Sequence, residues 1–431
     1  MKNNQWWLLS GALFLVFSSL LTACGRGEEP SSEVEKPSPA SPVTLTVAGP
    51  KYFTDEEYQK YVSEPVRKKY PHITLKQIDT TEKGLDIASL VGANQIPDII
   101  AFQQGNMGPL FDLRLMVDTK ELAQKNKFDL SRLQPELLKG LQAQYGTDML
   151  PGLPIYQSTY VMAYNKTIFD RFGVAYPKDG MFWEDVFTLA QNLTRIDQGI
   201  QYYGLSMART YHDGYKPISL PFADFSTNKP LFQSQGWKDQ FALWNDLYAK
   251  LGSPPKMDWE KAWSQEKRVG MRIIQTALFQ TFLADKGLVW DIVSHPQNKK
   301  APGIGLEMNA HWWSISATSP HKDAAYQVIS LLLSDEIQTK LSRGMRISVL
   351  NDNDIQNQVG ADLAGAQAMN LKAFVKLKNP IPIRLGTLGS AFYNNMVSAY
   401  ESVFYDGKDI NTALREADEK MAKDIQASLQ K

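Results

Sequence analysis

Three short runs near the start constrain the fold of this 431-residue chain more than any other feature. Val43-Thr44-Leu45-Thr46-Val47-Ala48 alternates with the period of a strand, and Gly49-Pro50 stops it. A helical run over 56–70 follows. Thr54 and Glu57 have the spacing of a capping box at its start, and Pro65 is expected to kink or restart it. Ile73-Thr74-Leu75-Lys76-Gln77-Ile78 reads as a second strand. After a short helix over Leu85–Ala93, Pro97-Asp98-Ile99-Ile100-Ala101-Phe102 reads as a third, almost wholly apolar. Strand, helix and strand of this size predict a βαβ unit, and a run that is apolar on both faces needs cover on both sides. The chain is therefore expected to build an α/β sheet. In open sheets of that kind ligands sit beyond the carboxyl ends of the strands. Gly49–Phe53 and Gln103–Asn106 lie at such ends and are expected to wall a site.

Gly152-Leu153-Pro154-Ile155-Tyr156-Gln157-Ser158 breaks the chain and then offers three hydrogen-bonding side chains. Tyr160–Tyr164 follows as a short buried strand, and a helix over Lys166–Phe172 ends at Gly173. Such a bend is either an ordinary loop or the passage from one packed half of the molecule to another. Further on, helices are expected over 183–193 and 236–251, and around Trp259 and Trp263. Strands are expected over Gly204–Ala208, Val269–Ile274, Leu288–Val293 and Ala310–Ser316. Ser319-Pro320 starts a helix with a clean apolar stripe, Ser334 caps the next, and Ile410–Ile425 carries apolar residues at helical spacing.

At this length two or three domains are possible, and a 43% hydrophobic share is enough for a real core. Lys+Arg and Asp+Glu number 46 each, so charge recommends neither nucleic acid nor an anionic surface as a partner. Cys24 is the single cysteine, which excludes an intrachain disulfide. Its position matters more. Lys2 and the apolar run Trp6–Leu21 have the form of a signal peptide over 1–23, and Leu21-Thr22-Ala23-Cys24 closes it as a lipobox would. The expectation is an acylated Cys24, palmitate among its chains, followed by a flexible tether over 24–42 rich in Pro, Ser and Glu. Several acyl chains together hold a protein stably on a membrane.

Catalytic signals are weak. The five histidines have no HExxH or paired spacing for zinc, so no metal and no cofactor is expected. Gly204-Leu205-Ser206-Met207-Ala208 lacks the closing glycine of a nucleophile elbow, and no phosphate-cradling loop is present. Glycosidase chemistry needs only two carboxylates, which 46 acidic residues always supply.

Four blocks, in order, carry a family resemblance. They are the lipobox with its tether, the strand–helix–strand ending in IPDIIAF, GLPIYQSTYVMAYNKTIFDRFGV continuing into WEDVFTLAQNLT, and WWSISATSPHKDAAYQVISLLLSDEIQTKLS. Together they resemble the extracellular solute-binding proteins of ABC importers, the group that includes maltodextrin- and other sugar-binding proteins. The resemblance implies a two-lobe periplasmic-binding-protein-like fold (type II), with lobe 1 from 43–153 and 314–348 and lobe 2 from 154–313 and 349–431. The lobes would be joined near Gly152–Ser158, His311–Ser314 and Ile347–Leu350. It implies no enzyme but a monomeric receptor, lipid-anchored on the extracytoplasmic face of the cell membrane, that passes a small solute to an ABC permease. A surface hydrolase and a sensory partner of a membrane kinase stand as alternatives.

A sugar site needs aromatic faces for the ring's CH groups and planar polar side chains for its hydroxyls. Tyr156, Trp312 and Trp313 offer the faces, with Phe53 as a wall. Gln103, Gln104, Asn106, Gln157 and Arg209 offer the hydrogen bonds. Neighbours on a strand point to opposite sides, so at most one tryptophan is expected in the cleft, with Trp312 favoured. Many members of the family carry a small-residue and Trp turn after a Gly-x-x-Met-like segment, where Gly270-Met271 here runs straight into Arg272. Arg272, with Arg209, either meets an anionic group such as a uronate carboxylate or forms a structural salt bridge.

Overall fold

In the computed structural model, residues 41–208, 214–306 and 309–430 are described. The signal peptide, Cys24, nearly all of the tether and Arg209 lie outside them. The described residues form one compact unit with two separate buried apolar clusters, each around its own sheet. The first sheet has the order β2-β1-β3-β12-β4, built from Ile73–Asp79, Val43–Gly49, Ile99–Gln103, Asn309–Ile315 and Leu153–Ser158. The second has the order β11-β5-β10-β7-β6, built from Trp290–Ser294, Tyr160–Asn165, Val269–Gln275, Ile200–Leu205 and Arg195–Asp197. A two-stranded ribbon, β8 (Ala223–Asp224) with β9 (Lys229–Pro230), forms a separate small sheet.

The βαβ expectation holds in detail. β1 pairs in parallel with β2 along its whole length and with β3 at Val47 and Ala48. The Thr54–Glu57 capping box is formed in both directions. Around Pro65 the helix opens into a π turn over Gln59–Ser63 before continuing as Glu64–Lys69. A wider turn gives the proline ring room beside the preceding carbonyls. Asp98 of the IPDIIAF run accepts hydrogen bonds from Thr46 N and Oγ1, both 2.9 Å, and from Ser319 Oγ at 2.6 Å. This one carboxylate joins β1, β3 and the approach to the helix Lys322–Leu332.

The passages between the clusters differ from the sequence expectation. β4 lies wholly in the first sheet, with Leu153, Ile155 and Tyr156 in the first cluster. The chain changes sheet only at Thr159, between Ser158 and Tyr160. His311–Ser314 is likewise no crossing but the middle of β12, a strand paired on both sides, with β3 and with β4. Near the third expected passage Met345 and Ile347 pack in the second cluster, whereas Val349, Leu350 and Ile355 pack in the first. The chain rejoins the second cluster at Val359. Three buried glutamines hold this weave. Gln134 and Gln157 both donate to Ser348 O, at 3.0 and 2.8 Å. Gln338 donates to Ile155 O and Leu332 O and accepts from Ser348 Oγ and Val349 N.

Candidate functional site

Where the two sheets meet, a cavity of about 490 Å³ opens. That is within the ~300–1,000 Å³ of ligand pockets. The first half contributes the loop after β1, with Lys51, Tyr52 and Phe53, together with Gln103, Tyr156, Ser158, His311 and Arg346. The second half contributes Gln275, the last residue of β10, and Ala277. The loop after β1, Gln103 and Gln275 each lie at or beyond the carboxyl end of a strand, where an α/β sheet leaves its ligand space.

The wall is a stack of rings around one cation. Tyr156 and His311 stack at 4.2 Å with 15° between their planes, and Tyr52 meets His311 edge-on at 4.6 Å. Phe53 packs on Tyr156 at 5.0 Å. Arg346 lies over Tyr156 and Phe53, 5.2 and 5.7 Å from their centroids. Its guanidinium is bound through two nitrogens by Glu57, at 3.1 and 2.7 Å. Met345 before Arg346 takes a left-handed backbone, φ 74°, which side-chain-bearing residues adopt rarely. Gly344 passes so close to Tyr61 that a Cβ there would lie 2.0 Å from the tyrosine oxygen.

Electrostatically the cavity is balanced. Arg346 is matched by Glu57, and Lys51 by Asp55 at 3.0 Å. Burial, with Arg346 adding to it, pulls His311 down to about 3, so the ring is neutral. Gln103 Nε2 lies 3.4 Å from His311 Nε2. With the amide donating, the imidazole proton sits on Nδ1, which is buried with no partner among the described residues. Burial pushes the Tyr156 hydroxyl up, and it donates to Tyr52 O at 3.1 Å. What remains is a set of neutral donors and acceptors beside aromatic surface.

Of the residues expected from sequence, Phe53, Gln103 and Tyr156 line this cavity. Tyr156 offers it no open face, since its ring is covered by Phe53, His311 and Arg346 and is 1% exposed. The half-exposed Tyr52 supplies the accessible aromatic instead. Neither tryptophan reaches the cavity. Trp312 and Trp313 are 0% and 4% exposed, packed in the first cluster where both faces of β12 are covered at these two residues. Gln104 is buried and donates to Gln144, and Gln157 is spent on Ser348. Asn106 sits in the short turn Gln104–Asn106, its side chain outside the described part. Arg272 lines a neighbouring cavity of about 520 Å³ and is bound by Glu260. Tyr52 falls within the expected Gly49–Phe53 wall, whereas His311, Arg346 and Gln275 escaped the sequence reading. Applying the strand-end rule to Val269–Ile274, as it was applied to the first strands, would have drawn attention to Gln275.

Among the described residues no group of three or more His, Cys, Asp or Glu side chains could hold a metal ion. No helix there is long and apolar enough to cross a membrane.

A family model described as bacterial extracellular solute-binding protein matches residues 65–357. The chain belongs to that family. A search of curated proteins by sequence finds no match. Solved structures similar to this solute-binding protein include a sugar transporter component from Rhizobium etli in an open conformation, with TM-score 0.72 and 19% identity over 88% of this chain and 99% of that one. An ABC substrate-binding protein from Listeria monocytogenes in complex with cycloalternan gives TM-score 0.69 and 16% identity, over 90% of this chain and 100% of the other. The sugar-binding protein MalE from Xanthomonas citri gives 0.69 and 14%, over 90% and 98%. The α/β two-lobe fold is thereby shown, and the family places this solute-binding protein outside the cytoplasm.

Proposed function

We propose that this solute-binding protein is the receptor of an ABC import system for a carbohydrate. The observation that supports this most is the cavity between the two halves. Its cations are each matched by a carboxylate, its histidine is neutral, and its remaining groups suit hydroxyls and CH faces. Similar structures hold sugars, among them cycloalternan, mannobiose and maltotetraose. On this reading residues 43–158 with 309–344 and 349–355 form one lobe and 160–294 with 359–430 the other, the stretch 345–348 crossing between them. They close on the solute by hinge motion about Thr159 and the glutamine-held weave. An acylated Cys24 anchors the monomer at the membrane, and a permease receives the solute.

Calorimetric titration with neutral mono- and oligosaccharides tests the binding step, and uptake of the bound sugar by a strain lacking the gene tests transport. Saturable binding with lost uptake is expected. Binding with normal uptake would make the protein a sensor, and slow turnover of the bound sugar would make it a hydrolase.

A further inference from the structure

The cavity beside Arg272 shares Gln275 and Ala277 with the one described above, so the two form a single trough bent around the start of the helix Thr276–Leu283. Arg272 is 6% exposed and rests over Phe282, 5.1 Å from the ring centroid. Its Nη2 pairs with Glu260 Oε2 at 2.5 Å. Nε and Nη1 are buried with no partner among the described residues. A guanidinium keeps its charge at every accessible pH, and buried donors without acceptors are costly. These two donors therefore call for oxygen atoms.

The kind of oxygen follows from the charges in the same wall. Glu260, its side chain 54% exposed, already neutralises Arg272, and Asp258 stands beside it. A ligand carboxylate would meet one cation and two carboxylates, with no net attraction. A hydroxyl can accept from Arg272 and donate to Glu260, which suits a matched ion pair. Around the pair, Met257, Trp259 and Leu278 present apolar surface, Leu278 being 37% exposed. That surface suits the CH face of a ring.

We propose that the Arg272–Glu260 pair is a second sugar subsite, reading hydroxyls of a neutral ring joined to the one in the Tyr52–His311 cavity. The solute is then a neutral oligosaccharide of at least two units. This rests on the carbohydrate reading and replaces the uronate alternative for Arg272.

The test is calorimetry with glucose, mannose and galactose, their neutral dimers and trimers, and the galacturonate dimer. Wild type is compared with Arg272→Met and Glu260→Gln. The tightest probe is expected to be a neutral dimer or trimer. Each variant should weaken it about tenfold, the scale of one charge-assisted hydrogen bond, and leave monosaccharide affinity within about twofold. Glu260 is half-exposed, so Glu260→Gln carries the test if Arg272→Met does not fold. Oligosaccharide affinity unchanged in the folded variants, or tighter binding of the galacturonate dimer than of its neutral counterpart, overturns the subsite. Failure of every saccharide to bind overturns the carbohydrate reading itself, a result distinct from binding that ignores Arg272 and Glu260.

Discussion

His311 should make the protein lose stability between neutral and mildly acid pH. In the folded chain burial lowers its pKa from 6.5 to about 3. Above pH 6.5 the imidazole is neutral in both states and contributes no pH dependence. Below 6.5 the unfolded chain takes up a proton that the folded chain refuses, so folding becomes less favourable until pH falls to about 3. At about 1.36 kcal/mol per pH unit, going from pH 7 to pH 5 removes about 2 kcal/mol. With a urea slope of about 3 kcal/mol per molar, the midpoint should drop by roughly 0.7 M from this group alone. Urea unfolding of wild type and His311→Gln at pH 7, 6 and 5 isolates it, since glutamine does not titrate. The variant's pH dependence should be shallower by about 2 kcal/mol. Parallel curves for the two proteins would refute the argument, because they would mean that His311 takes its proton as readily folded as unfolded. A companion expectation concerns binding: with His311 neutral, affinity for a neutral sugar should stay flat from pH 8 to pH 5.

Trp312→Ala should destabilise by about 3–5 kcal/mol and leave sugar affinity of the surviving folded protein unchanged, since the ring fills the first cluster and not the cavity. Denaturant unfolding with calorimetry checks both halves of that statement. Gln338→Leu removes a side chain that holds four backbone and side-chain groups at the weave. It should cost roughly 3 kcal/mol, because groups left buried without partners lose about 1–3 kcal/mol each. Gly204→Val should abolish soluble folded protein, measured by expression and circular dichroism, because a Cβ at residue 204 would lie 2.0 Å from Ala190 O.

Much of the scaffold could be read locally. The capping box at Thr54, the cap of Ser334 on the helix Asp335–Arg343 and the stop of Lys166–Phe172 at Gly173 all depend on residues within a turn of one another, and all are present. The helices Thr276–Leu283 and Gly389–Phe404 were not expected, the first because its apolar run Ala277-Leu278-Phe279 continues directly from the strand Val269–Gln275. Strand ends supplied Gln103 and the Lys51–Phe53 loop as cavity walls for the same local reason.

Periodicity, capping and punctuation along the chain determined the α/β class, most element positions and the family resemblance, since each is set by neighbours a few residues apart. Which side chains face the solute was decided only by tertiary structure. Trp312 and His311 are adjacent in sequence, yet one is sealed in the first cluster and the other walls the cavity. Successive side chains of β12 point to opposite faces, and the face His311 takes is the one that opens on the cavity there. Arg346 is likewise drawn into the site by Glu57, 289 positions away. Pairings across such separations leave no local pattern, because they exist only once both sheets have formed.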